Sequence, residues 1–177
     1  VAEELEDEKD ADLAAAARDI SDGAERLDGY VRLLIEASRG SGGAERAPLR
    51  PAEFCEQVLA EAAQVARARG VALDAATGPA VAGAPEAPLD RAALARAAAN
   101  LVANAAEHAH SRVSVSCDVT GGSLVIEVSD DGPGFSPAAL ERGCERLFTD
   151  DSSRSSRDGG LHYGLGLHTA SEAARAH

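Results

Sequence analysis

The stretch NLVANAAEH, residues 100–108, decides how this chain is read. It closes a longer run, RAALARAAANLVANAAEHA (91–109), whose alanines favour a helix without other help. Asp90 stands where an N-cap belongs. Asn100 and Asn104 lie at i, i+4, and Glu107 and His108 continue their side of the helix. Leu94, Ala98, Leu101, Val102 and Ala105 form the apolar face, and the asparagines border it. A mid-helix asparagine competes for backbone hydrogen bonds, so two on one face need a reason. Two reasons stand open. Neighbouring backbone satisfies the amides, or their hard oxygens serve Mg²⁺, an ion that keeps several waters and shares phosphate oxygens.

Downstream, RVSVSCDV (112–119) and SLVIEVSD (123–130) alternate as strands, and Gly121-Gly122 between them signals a hairpin. Leu124, Ile126 and Val128 share one face, and Asp130 falls at its inner end, where a carboxylate is costly unless recruited. The next residues complete DDGPGF (130–135), a DxGxG pattern in which Asp131 points the other way, into solvent. Asp130 is placed to accept a hydrogen bond from an exocyclic amine, and Gly132 and Gly134 let backbone pass close to a flat ring. A polar Gly/Ser/Asp-rich stretch follows, with one short helix near Pro137 to Arg142. It leads to HYGLGL (162–167), which opens a last helix from Leu165 to Ala176. Glycine-bordered amides at a helix start suit an anion; a plain turn is the alternative.

Upstream, PAEFCEQVLAEAAQVARARG (51–70) reads as a helix with Pro51 in its first turn and Gly70 as its stop. VALDAA (71–76) reads as a strand and AVAGA (80–84) as a candidate second one. RGSGGAERAP (39–48) has linker composition, and a second domain starts near Leu49. Before the linker a helix runs from about Asp12 to Ser38, after a short helical tail, VAEELED. Its apolar positions, Leu13, Ala17, Ile20, Ala24, Leu27, Val31 and Leu34, keep a heptad seam. That seam wants a partner helix, either within its own domain or across a dimer.

The 177 residues carry a net charge of −13, which disfavours nucleic acid and anionic lipid as partners. No apolar run reaches the length of a membrane helix, and no signal peptide opens the chain. Cys55, Cys117 and Cys144 have no metal-ligand spacing, and they read as small hydrophobes in a reducing compartment. The chain starts at Val1 and has no methionine, so it reads as a fragment of a longer protein.

In this fixed order the segments resemble the ATP-binding domain of sensor histidine kinases, within the wider Bergerat-fold ATPase group. NLVANAAEH is similar to the family's N box, DDGPGF to its first glycine box, ERLF around Phe148 to its F box, and HYGLGL to its second glycine box. SDGAERLDGYVRLLIEASR (21–39) resembles, more weakly, the second helix of the family's dimerisation and phosphotransfer hairpin. The resemblance implies an α+β fold, a two-layer α/β sandwich of Bergerat type, preceded by a long helix of a helical-bundle dimerisation domain. It divides the chain into a partial hairpin (1–38), a linker (39–48) and an ATP-binding domain (49–177) whose C-terminal strands are missing.

By resemblance, Asp130 binds the adenine amino group, Asn104 ligates Mg²⁺, and Asn100 assists at the phosphates. Gly132 and Gly134 line the adenine, while Gly164, Leu165, Gly166 and Leu167 approach the phosphates. Phe148 belongs to the nucleotide site, residues 145–163 form an ATP lid, and Arg154 or Arg157 reaches the γ-phosphate. The cofactors implied are ATP and Mg²⁺. The partners are a response regulator receiver domain and a second copy of the chain, joined through the N-terminal helix. The location implied is cytoplasmic, with upstream segments as the candidate membrane anchor.

Three departures qualify the match. Glu107 stands where the family often has a phosphate-touching Lys. Asn100 stands where related hydrolysing ATPases carry a general-base Glu, which favours transfer to a side chain over hydrolysis. No His precedes His108, so the phosphoacceptor is expected upstream of Val1. This piece is then expected to bind nucleotide without phosphorylating itself. A serine kinase that binds a sigma factor is a second reading, since NAAEHA resembles that branch too, and a non-catalytic adaptor of the same fold is a third.

Overall fold

A computed structural model describes residues 46–145 and 166–177. The heptad helix, most of the linker, Phe148, Arg154, Arg157, Gly164 and Leu165 lie outside the described residues. The described elements are β1 (Ala47–Leu49), α1 (Pro51–Arg69), β2 (Ala72–Thr77), β3 (Ala87–Leu89), α2 (Arg91–His108), β4 (Arg112–Thr120), β5 (Ser123–Asp130), α3 (Pro137–Arg142) and α4 (Gly166–Ala176).

Pro51 opens α1 with its φ already helical and no N–H to waste. Phe54, Cys55, Val58, Ala62 and Ala66 recur at helical spacing, and all are buried. Gly70 stops the helix, and the Val71 N–H closes the last turn on the Ala66 carbonyl at 3.0 Å. The Asp90 side chain caps α2 by accepting from the Ala93 N–H at 3.0 Å.

The main sheet has the order β2-β4-β5. β2 runs parallel to β4, from Ala72 beside Arg112 to Thr77 beside Cys117. β4 and β5 form the hairpin, from Val113 beside Asp130 to Thr120 beside Ser123. Gly121 and Gly122 have φ of 60° and 83°, the two left-handed residues that a tight hairpin of the favoured twist requires. Val113, Val115 and Cys117 are buried under α1 and α2, and Leu124, Ile126 and Val128 pack against the same core. The result is two layers, helices on one face of a mixed sheet, in agreement with the expected fold class. α4 packs along α2.

Two parts differ from the reading of the sequence. AVAGA is not a strand: residues 80–83 form a turn in which Val81 donates to Gly78 at 3.2 Å and Ala84 to Val81 at 3.2 Å. Pro79 and Pro85 flank it and offer no ladder N–H, while Val81 alone drops into the core at 1% exposure. β1 and β3 instead pair antiparallel, and β1 takes in Ala47 and Pro48, which composition assigns to the linker. Both strands read Ala-Pro-Leu, and Pro48 lies opposite Pro88. Antiparallel ladders alternate hydrogen-bonded and non-bonded pairs, so facing prolines fit the non-bonded position and leave the flanking pairs to make the bonds.

Candidate functional site

α2 organises the site. Asn100 and Asn104 are half-buried, one turn apart, and their side-chain amides make no hydrogen bond with another described residue. The last residue of α2 is His108, one further turn along the same side. The eight helical steps from Asn100 to His108 span about 12 Å of axis.

The DDGPGF loop sits on that end of α2. A Cβ on Gly132 would come within 2.3 Å of the His108 carbonyl oxygen and 2.7 Å of Asp130 Oδ1, so only glycine allows this approach. Gly134, at φ 75°, turns the loop onward. Asp130 Oδ1 accepts from the Gly132 N–H at 2.9 Å, which leaves Oδ2 for another donor. The Asp130 carboxylate is exposed, not desolvated as its strand position suggests. β5 reaches its end there, and α2 has already ended, so no described element covers it.

The other end of the face meets α4. A Cβ on Gly166 would lie 3.6 Å from Asn100 Cβ, and Leu167 Cδ1 reaches to 3.5 Å from the Cβ position of Gly143, just after α3. His168 Nδ1 is 3.0 Å from the Cys144 carbonyl oxygen. At the far end of α4, His177 Nδ1 pairs with the Ala173 carbonyl at 2.8 Å, and Nε2 accepts from the Asp90 N–H at 3.0 Å. That pattern needs the neutral ring, protonated on Nδ1. Arg46 also donates to the Ala176 carbonyl. Gly166 lies beside Asn100 and His177 beside Asp90, so α4 runs antiparallel to α2 over its whole length. The structure thus sets Gly166 beside Asn100 on the side of α2 that carries Asn104, and Gly132 at the C-terminal end of that helix, with Asp130, Gly134 and Leu167 on the neighbouring strand end, loop and helix.

Sequence reasoning misses two contributors. His177 carries no motif. Asp131 does not simply face solvent: Oδ1 accepts from the Ser111 and Arg112 N–H groups at 2.9 and 3.0 Å, and Oδ2 accepts from Ser111 Oγ at 2.6 Å. These bonds hold its carboxyl far below the usual carboxylate range, the Ser111 hydroxyl first among them. The available signal is the doubled aspartate, whose second member falls opposite the turn before β4.

Among the described residues no group of three or more His, Cys, Asp or Glu is placed to hold a metal ion. No described helix is long and apolar enough to cross a membrane.

Residues 89–177 match the family described as histidine kinase-, DNA gyrase B-, and HSP90-like ATPase. The signal transduction histidine-protein kinase AfsQ2 of Streptomyces coelicolor is 34% identical over 152 residues, 86% of this chain and 27% of that protein. The sensor-like histidine kinase SenX3 of Mycolicibacterium smegmatis is 35% identical over 160 residues, 86% of this chain and 39% of that one. The chain spans less than half the length of either relative. Among solved structures, the mycobacterial sensor histidine kinase MprB matches with a TM-score of 0.56 at 23% identity, covering 75% of this chain and 80% of that one. Full-length ShkA in complex with AMPPNP matches with a TM-score of 0.63 at 22% identity, covering 86% of this chain and 31% of that one. At these identities the structural likeness speaks for the fold alone.

Proposed function

The chain belongs to the histidine kinase-, DNA gyrase B-, and HSP90-like ATPase family, and we propose that it is the ATP-binding core of a two-component sensor histidine kinase. In the longer protein the γ-phosphoryl of Mg-ATP passes to a histidine in a helical bundle, then to an aspartate of a response regulator receiver domain. The names of the matched relatives favour this reading over a serine kinase that binds a sigma factor. One observation carries it: two amides without a partner among the described residues, Asn100 and Asn104, lie on α2 between two glycine contacts, Gly166 at Asn100 and Gly132 at the helix end, His108.

The roles follow from that placement. Asp130 Oδ2 accepts the adenine amine, since Oδ1 already serves Gly132. Gly132 and Gly134 give the base a backbone wall without side chains. Asn104, assisted by Asn100, holds Mg²⁺, which neutralises phosphate charge when bound. Gly166 and Leu167, with Gly164 and Leu165, offer main-chain amides to the phosphates at the start of α4. Phe148 and Arg154 complete the site from the lid, the arginine at the γ-phosphate. Asn100 accepts no proton from water, which leaves a protein side chain as the acceptor of the phosphoryl group. The full protein dimerises through the heptad helix and works in the cytoplasm, with upstream segments as its membrane anchor.

Calorimetry with Mg-ATP on this chain and on Asp130→Asn tests the reading. The expected result is Mg²⁺-dependent binding that the variant loses, because an amide presents a donor where the amine needs an acceptor. Equal binding by the variant refutes the role of Asp130. Absence of binding by the folded wild type, also in a longer chain, refutes the nucleotide site.

A further inference from the structure

The first glycine box is held from a direction that its glycines do not explain. Ser111 closes the turn between α2 and β4, directly after the helix that carries the asparagines, and Arg112 is the first residue of β4. The main-chain N–H groups of Ser111 and Arg112 both donate to one carboxylate oxygen, Oδ1 of Asp131. Ser111 adds its hydroxyl at 2.6 Å. In return the Asp131 N–H donates to the Arg112 carbonyl at 3.2 Å, so the two segments are stitched in both directions. Successive amides converging on one anion make a geometrically specific clamp. On one side of Asp131 in the chain is Asp130, and on the other is Gly132, seated on the His108 carbonyl.

We infer that Asp131 is a positioning residue for the adenine pocket: its carboxylate ties the DDGPGF loop to the α2–β4 turn and so fixes where Asp130 stands relative to the asparagine helix. The inference rests on the role proposed above for Asp130. Asp131 touches no nucleotide. Without its carboxylate, the side-chain stitching is gone and only the single Asp131–Arg112 main-chain bond remains. The loop then drifts from the end of α2, and Asp130 loses its aim at the base.

Base preference reads this out directly. ATP presents an amine to Asp130, and GTP presents a carbonyl at the same place, which a carboxylate repels. Binding of Mg-ATP and Mg-GTP is measured by calorimetry on the wild type and on Asp131→Ala, Asp131→Asn and Asp131→Glu, with a thermal melt of each. In Asp131→Ala, ATP affinity falls by about tenfold or more, the scale of one charge-assisted hydrogen bond, and GTP affinity changes little, so the preference collapses. Asp131→Asn keeps an oxygen for both amides and an N–H for Ser111 Oγ, and it stays close to the wild type. Asp131→Glu keeps the charge but carries it one methylene too far, and it behaves like Asp131→Ala.

Asp131→Glu carries the same test if Asp131→Ala does not fold. A lowered melting temperature with an unchanged ATP-to-GTP ratio in Asp131→Ala and Asp131→Glu overturns the inference and leaves Asp131 a purely structural residue. A wild-type affinity in Asp131→Glu, with loss in Asp131→Asn, also overturns it, since charge and not position would then matter. A wild type that binds ATP no better than GTP refutes the role of Asp130, and the inference falls with it.

Discussion

Replacing Gly132 with alanine tests the contact on which the site geometry depends. The new methyl group would stand 2.3 Å from the His108 carbonyl oxygen, and such contacts essentially never fall under 3.0 Å, so loop and helix must part by at least 0.7 Å. The nearest neighbour is the His108 main chain, which cannot swing away cheaply as a side chain can. Gly132 is not among the glycines with positive φ, so the expected cost is steric overlap and not a forbidden conformation. Overpacking of this kind destabilises by about 1–3 kcal/mol. A misplacement near 1 Å at a site of this sort costs about a hundredfold. The assays are urea denaturation and Mg-ATP calorimetry. Gly122→Ala is the control, because φ of 83° there strains an alanine by about 1–2 kcal/mol with no atom nearby to strike. Both variants should lose stability, but only Gly132→Ala should lose ATP affinity. Equal affinity in the two variants would refute the argument.

Other expectations follow from burial and charge. A thiol reagent should modify one cysteine per native chain, the exposed Cys144, and all three in denaturant. Cys55 and Cys117 are fully buried, and burial, then the neighbouring Cys55, pushes the Cys117 thiol up to about 12, so neither offers a thiolate. A carboxyl held below its ordinary value of about 3.9 adds stability above that pH and loses it as pH falls further. The melting-temperature gap between the wild type and Asp131→Asn should therefore be widest near neutral pH and close progressively below about pH 4. Val81→Ala should cost about 1–3 kcal/mol in urea denaturation despite its place in a turn, because the side chain is a buried anchor.

The sequence was most legible where one period ran long enough to count. α2 spans eighteen residues with a capping aspartate, and the structure keeps both its start and its asparagine face. β4 and β5 alternate over nine and eight residues around a glycine pair, which fixes their register. β1 and β3 have three residues each, centred on proline, and a triplet displays no period. AVAGA alternates on paper, yet a single valine anchor between two prolines outweighs that pattern. At the site, spacing alone aligned Asn100 with Asn104. The seating of Gly132 on His108 and of Gly166 on Asn100 joins residues 24 and 66 positions apart, which only tertiary packing reveals. The partners of Asp131 escape the sequence because alternation shows which way a side chain leaves a strand, not what waits beyond the strand's end.

The antiparallel seating of α4 on α2 also makes distance at the site a discrete quantity. A helix meets its neighbour through side chains that repeat once per turn, about 5.4 Å. α4 is fastened near both ends, by Gly166 against Asn100 and by His177 against Asp90. A slide along α2 breaks the His177–Asp90 hydrogen bond, and the side-chain rows next fit a full turn away. The second glycine box is thus graduated against the asparagines like a vernier locked at zero.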